Sequence, residues 1–92
     1  MKYRSRSDIV GLLLDAANGG GAIKTKLMYK AYLSFNQLKE YLTFFGENGL
    51  IEYEEGMRTY RTTEKGMRLL QIQNTMDEIA PDYLHQREIK LK

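Results

Sequence analysis

The chain has 92 residues, of which 42% are hydrophobic and 28% charged, with a net charge of +2 and no cysteine. These totals fit one globular domain with a modest core. They exclude a disulfide scaffold, thiolate catalysis and cysteine-ligated zinc. No apolar run approaches the roughly 20 residues that a membrane span needs. Leu12-Leu13-Leu14, flanked by Asp8 and Asp15, is too short for a signal-peptide core. The expected protein is soluble and cytoplasmic.

The first predicted element is a helix over Asp8 to Asn18. Ile9, Leu12, Leu13 and Ala16 recur at i, i+3, i+4, i+7, a one-sided apolar stripe. Ser5 and Asp8 stand at capping-box spacing, and Gly19-Gly20-Gly21 ends the pattern. A short second helix covers Lys24 to Tyr32, with Leu27, Met28 and Ala31 inward. Leu33-Ser34 interrupts it. Ser34 and Gln37 form a second capping box, so a third helix starts at Phe35. Leu38, Leu42 and Phe45 mark its buried stripe, with Tyr41 beside it, and Asn48-Gly49 stops it. Leu50 to Glu54 and Arg58 to Thr62 read as strands joined by a turn at Glu55-Gly56, with Tyr60 inward. Thr63 caps a last helix over Glu64 to Ala80, which Pro81 ends or kinks.

Helix, helix, tight turn, helix, hairpin is the order of a winged helix-turn-helix. The expected fold class is α+β, mostly α. A winged domain would span residues 1–66, and a dimerisation helix with its tail would span 67–92. In such a fold the third helix enters a DNA major groove and the hairpin serves as a wing. Opposite the buried stripe of the third helix lie Asn36, Gln37, Lys39, Glu40 and Thr43. Asn and Gln can pair two-pronged with adenine, and Lys reaches guanine acceptors. An ordinary solvated helix face would carry much the same residues.

Charge is unevenly placed. Lys2, Arg4 and Arg6 precede any acid, and Lys24, Lys26 and Lys30 form a second acid-free cluster. These suit an anionic partner or, equally, solvated helix ends. Thr25 is placed to cap the second helix or to bond a phosphate, and Tyr29 and Tyr32 flank the lysines. The wing offers Arg58 and Arg61 but also Glu54 and Glu55. On the last helix Leu69, Ile72, Met76 and Ile79 step at seam spacing, and Tyr83 continues the series. Met67 and Leu70 sit off that seam. The stripe is either a homodimer contact or intramolecular packing.

The blocks KTKLMYKAYLSFNQLKEYL, NGLIEYEEG and YRTTEKGMRLL resemble an archaeal family of small winged-helix DNA-binding proteins, typified by the ten-kilodalton chromatin protein of Sulfolobus. The resemblance covers about Ser5 to Leu70, and Lys24 to Phe35 is its specific part. It implies a homodimer, joined by an antiparallel coiled coil of C-terminal helices, that binds double-stranded DNA in the nucleoid. Carried over by motif, Lys24, Thr25, Lys26, Tyr29 and Ser34, Phe35, Asn36 and Gln37 would lie at or near the DNA. Pro81 departs from the long final helix of that family, and the acidic wing departs from a strong DNA wing.

The function expected is that of a transcriptional regulator or chromatin component, needing no cofactor and showing no evident small-molecule effector. A winged helix used for protein–protein contact is the rival, supported by low net charge and the acidic wing. Structured RNA is a third possible ligand. Enzymatic activity is not expected. The single histidine, His85, has no nucleophile near it in sequence. The glycine run lacks the P-loop pattern, and Asp77, Glu78 and Asp82 lack metal-loop spacing.

Overall fold

Ser5 decides where the described chain becomes helical. Its Oγ accepts from the Asp8 N–H at 3.1 Å, and Asp8 Oδ2 accepts from the Ser5 N–H at 3.2 Å. The box closes, and α1 runs Arg6–Ala16, displaced toward the N-terminus from the predicted bounds. This computed structural model describes residues 5–80. After α1 come α2 (Lys24–Ala31), α3 (Phe35–Glu47), β1 (Ile51–Glu54), β2 (Thr59–Thr62) and α4 (Glu64–Ile79). The predicted box at α3 forms as well: Ser34 Oγ accepts from Gln37 N–H at 3.2 Å, and Gln37 Oε1 accepts from Ser34 N–H at 2.9 Å. Thr63 Oγ1 caps α4 by accepting from Gly66 N–H at 3.0 Å. Each such cap contributes about 1 kcal/mol and fixes a helix start.

Burial is the larger effect. Phe45, Leu13, Leu14, Leu27 and Leu38 are fully buried, each stabilising by about 1.5–3 kcal/mol. Ala17, Ala31, Leu33, Leu50, Ile51 and Leu70 complete the centre. One expectation is corrected here. Leu12 lies at the surface, and Leu14 takes its place in the core. The reason is that α1 packs against α2, α4 and β2 together. A helix covered on several sides buries a wider arc than a single stripe.

The hairpin pairs antiparallel in the register Ile51↔Thr62, Glu52↔Arg61, Tyr53↔Tyr60 and Glu54↔Thr59. Residues 55–58 turn between the strands. The left-handed backbone falls at Arg58 (φ 55°) and not at Gly56. Ala22 adds a further pairing that the sequence pattern does not announce. It exchanges two 2.8 Å hydrogen bonds with Tyr60. Gly21, at φ 88°, leads into that bridge at a point where a Cβ would press on Thr59 and the Tyr60 carbonyl. The glycine run therefore docks the end of the α1–α2 connection onto the wing.

The segment Thr62 to Gly66 joins three parts of the fold. Thr62 Oγ1 donates to the Leu14 carbonyl at 2.6 Å, and Thr63 Oγ1 donates to the Gly49 carbonyl at 2.6 Å. Gly66 crosses so close to Leu50 that a Cβ would collide with the Leu50 carbonyl oxygen. Leu70 then enters the core, with Met67 and Leu69 packed against it. α4 is thus one continuous helix across position 66, and its first half belongs to the packed domain. Among the described residues no helix is long and apolar enough to cross a membrane.

Candidate nucleic-acid interface

α2 and α3 meet through a three-residue connection, residues 32–34. Tyr32 caps α2 in the left-handed conformation (φ 54°, ψ 49°). Leu33 follows, buried, with its N–H donating to the Met28 carbonyl at 3.0 Å. Ser34 then opens α3. Burial of Leu27, Ala31 and Leu38 holds the two helices against the domain. Their other faces stay outside.

Lys24, Thr25, Lys26, Tyr29 and Lys30 on α2 are exposed, as are Ser34, Phe35, Asn36, Gln37, Lys39 and Thr43 on or beside α3. No acid occurs between Asp15 and Glu40. α2 begins at Ile23 with no side-chain cap, unlike α1, α3 and α4. Thr25 sits inside the first turn and does not cap it. The free N–H groups and dipole of such an end favour an anion. Lys24 and Lys26 stand in the same turn.

The amides of α3 divide. Gln37 has its Oε1 occupied by the Ser34 N–H. A two-pronged adenine contact needs that oxygen as well, so in the capped arrangement only its second lone pair is left for a base. The Asn36 side chain makes no hydrogen bond to the described residues and keeps both ends of its amide available. Thr43 donates its hydroxyl to the Lys39 carbonyl at 3.0 Å.

On the wing, Arg61 lies 3.7 Å from a Glu52 carboxylate oxygen and 3.7 Å from one of Glu54. All three side chains are substantially exposed, so these pairs contribute well under about 1 kcal/mol each. Their effect on charge is greater, because Arg61 is surrounded by acid on its own sheet face. Arg58, in the turn, is exposed and outside those pairs. On the other face, the rings of Tyr53 and Tyr60 are 4.7 Å apart. Burial raises the Tyr60 phenol above its ordinary value, and neighbouring Tyr53 adds to this.

One contact escapes sequence reading. Lys24 Nζ lies 5.1 Å from the centre of the Phe35 ring. An exposed cation–π contact of this kind contributes about 0.5–1 kcal/mol. The pair lines a shallow groove of about 320 Å³ with Lys39, Thr43 and Tyr60. The groove joins α2, α3 and β2, and no local period links residues from three elements.

The predicted dimer seam is split. Ile72 and Ile79 are 59% and 77% exposed. Met76 is half-buried. Leu69 packs against the core and lines a cleft of about 450 Å³ with Val10, Tyr41 and Phe44. Tyr83 and Pro81 lie outside the described residues, as do Lys2, Arg4, His85 and Asp82. Among the described residues, no cluster of three or more histidine or carboxylate side chains is placed to hold a metal ion.

The family model described as winged helix-turn-helix matches residues 3–81. A comparison with curated proteins finds no match.

Proposed function

The chain belongs to the winged helix-turn-helix family, and from that membership we propose that it binds double-stranded DNA as a homodimer, acting as a transcriptional regulator or a chromatin component of the nucleoid. The observation that carries the reading is the exposed surface of α2 and the start of α3, which holds no acid before Glu40, with an α2 N-terminus left uncapped beside Lys24, Thr25 and Lys26. In this reading the α2 end holds backbone phosphates. Lys30 and the Tyr29 hydroxyl extend the grip, which positions the protein without reading sequence. α3 enters the major groove N-terminus first. Asn36 and Lys39 read base edges, Phe35 supplies an apolar contact, and Ser34 and Gln37 hold the helix end in shape. Thr43 lies further along the same face. Arg58 at the wing turn approaches the neighbouring backbone. Arg61, held between Glu52 and Glu54, contributes least.

The exposed Ile72 and Ile79, with Met76 between them, form the dimer contact in this proposal, and a second copy of α4 covers them. The resemblance of the Lys24–Phe35 block to archaeal chromatin proteins supports the antiparallel arrangement and the nucleoid location. The protein acts by binding, without catalysis. A second reading is a protein–protein module. The acidic outer face of the wing, where Glu52 and Glu54 outnumber Arg61, favours it.

Fluorescence anisotropy on random and genomic duplexes, from low to physiological salt, tests the reading. Affinity that falls steeply with salt is expected, because phosphate contacts release counterions. A gap of about a thousandfold between the best and random duplexes marks a specific regulator. No gap marks an organiser. Absence of binding at low salt would leave the protein–protein reading.

A further inference from the structure

The outer surface of α2 carries more than charge. Leu27 and Ala31 face the core and Met28 is half-buried, which leaves Thr25, Lys26, Tyr29 and Lys30 outside. Tyr29 is 80% exposed, and Tyr32, at the helix cap, is 77% exposed. A tyrosine ring is one of the largest apolar surfaces a side chain can bury. Here two of them stand in water, about one helical turn apart. Tyr32 also holds a left-handed backbone (φ 54°). That conformation suits glycine and is unfavourable for a residue with a Cβ.

The surroundings specify what such rings could meet. Lys26 and Lys30 lie one turn apart on the same exposed side, and no acid occurs from residue 16 to residue 39. Rings interleaved with lysines, without carboxylates, complement a ligand that is both polyanionic and aromatic. A duplex offers the charge but keeps its base faces stacked inside. An unpaired strand offers both.

We propose that Tyr29 and Tyr32, with Lys26 and Lys30, form a stacking surface for the unpaired bases of single-stranded nucleic acid. Bases lie on the two phenol rings, and the lysines follow the phosphates. Every base has a π-face, so the surface accepts many sequences. This mode rests on the proposed reading for its phosphate contacts, since it shares Lys26, Lys30 and Tyr29 with the duplex grip, and it differs in using the two ring faces, which a duplex does not engage.

Anisotropy with labelled oligo(dT) of about twelve nucleotides tests it, against an abasic deoxyribose-phosphate strand of the same length, oligo(rU) and a duplex. The abasic strand has the charge and lacks the rings. Wild type is expected to prefer oligo(dT) over the abasic strand by about tenfold or more. Tyr29→Ala and Tyr32→Gly should each remove about tenfold from oligo(dT) binding and little from the abasic strand. Tyr29→Phe, which keeps the ring and loses the hydroxyl, should retain it. Tyr32→Gly relieves the left-handed backbone, so its Tm should hold or rise and its duplex affinity should stay unchanged. Tighter oligo(dT) identifies single-stranded DNA as the ligand, and tighter oligo(rU) identifies RNA. Equal binding of abasic and base-bearing strands would overturn the proposal, as would indifference to loss of both rings. Duplex binding without single-strand binding would overturn this proposal alone, and binding of neither would remove both readings.

Discussion

The Thr62 hydroxyl donates a 2.6 Å hydrogen bond to the Leu14 carbonyl oxygen, across 48 positions of sequence. Leu14 lies in the last turn of α1, where carbonyls run out of helical partners. The Thr62 N–H adds a 3.0 Å bond to the Ala17 carbonyl. The end of the wing thereby caps the first helix. Thr62→Val keeps the shape of the side chain and removes the donor. The buried carbonyl is then left short of a partner, which costs about 1–3 kcal/mol. Urea denaturation should show that loss with an unchanged m-value. A variant as stable as wild type would mean that the bond adds nothing.

Lys26 and Asn36 should separate when each is replaced by alanine. Lys26→Ala is expected to weaken binding to all duplexes alike and to lower the salt slope by about 1. Asn36→Ala should reorder a panel of sequences, by about 1–3 kcal/mol at one base position. Measured on the same panel, identical patterns for the two variants would refute this division between phosphate grip and base reading.

Ile72 and Ile79 are the side chains to test for dimerisation, because both are well exposed in the single chain. Leu69 is less suitable, since it packs on the core and an aspartate there would damage the fold as well. Ile72→Asp with Ile79→Asp should sediment as a monomer with its Tm little changed when measured well below the dimer's dissociation range. A wild type that sediments as a monomer at high concentration would end the dimer proposal.

Tyr60 gives stability a pH dependence on the alkaline side. Burial, and secondarily Tyr53, hold its phenol above the ordinary value of 10.0. The folded chain therefore keeps this proton longer than the unfolded chain does. Its contribution is complete below about pH 10 and is lost as pH rises through the folded value. Tyr60→Phe has no proton to lose. Melting from about pH 9 to about pH 11 should show a steeper fall for wild type than for the variant. Parallel slopes would show that Tyr60 does not set this behaviour.

Local chemistry was the most legible part of the chain. Ser5 with Asp8, Ser34 with Gln37, and Thr63 each open the helix that their spacing predicts, because a cap involves residues only three apart. The loose alternation around Glu55-Gly56 likewise foretold the hairpin. The candidate surface was legible as residue types: the lysines of α2 and the polar face of α3 are exposed as expected. Of its internal constraints, only the engagement of Gln37 at the cap could be read from spacing. That Arg61 lies between Glu52 and Glu54 and that Lys24 stands over Phe35 depends on which strands and helices become neighbours.

The sequence by itself determined the element order, the caps of α1, α3 and α4 and the apolar faces of α2 and α3, since these follow from spacings within a few residues. Tertiary structure alone decided that Leu14 is buried while Leu12 is not, that Ala22 joins the wing through Tyr60, and that Gly66 must be bare beneath the Leu50 carbonyl. It also decided that Tyr29 and Tyr32 stay in water. Each of these depends on what packs against a residue from far along the chain, and periodicity holds no record of that neighbour.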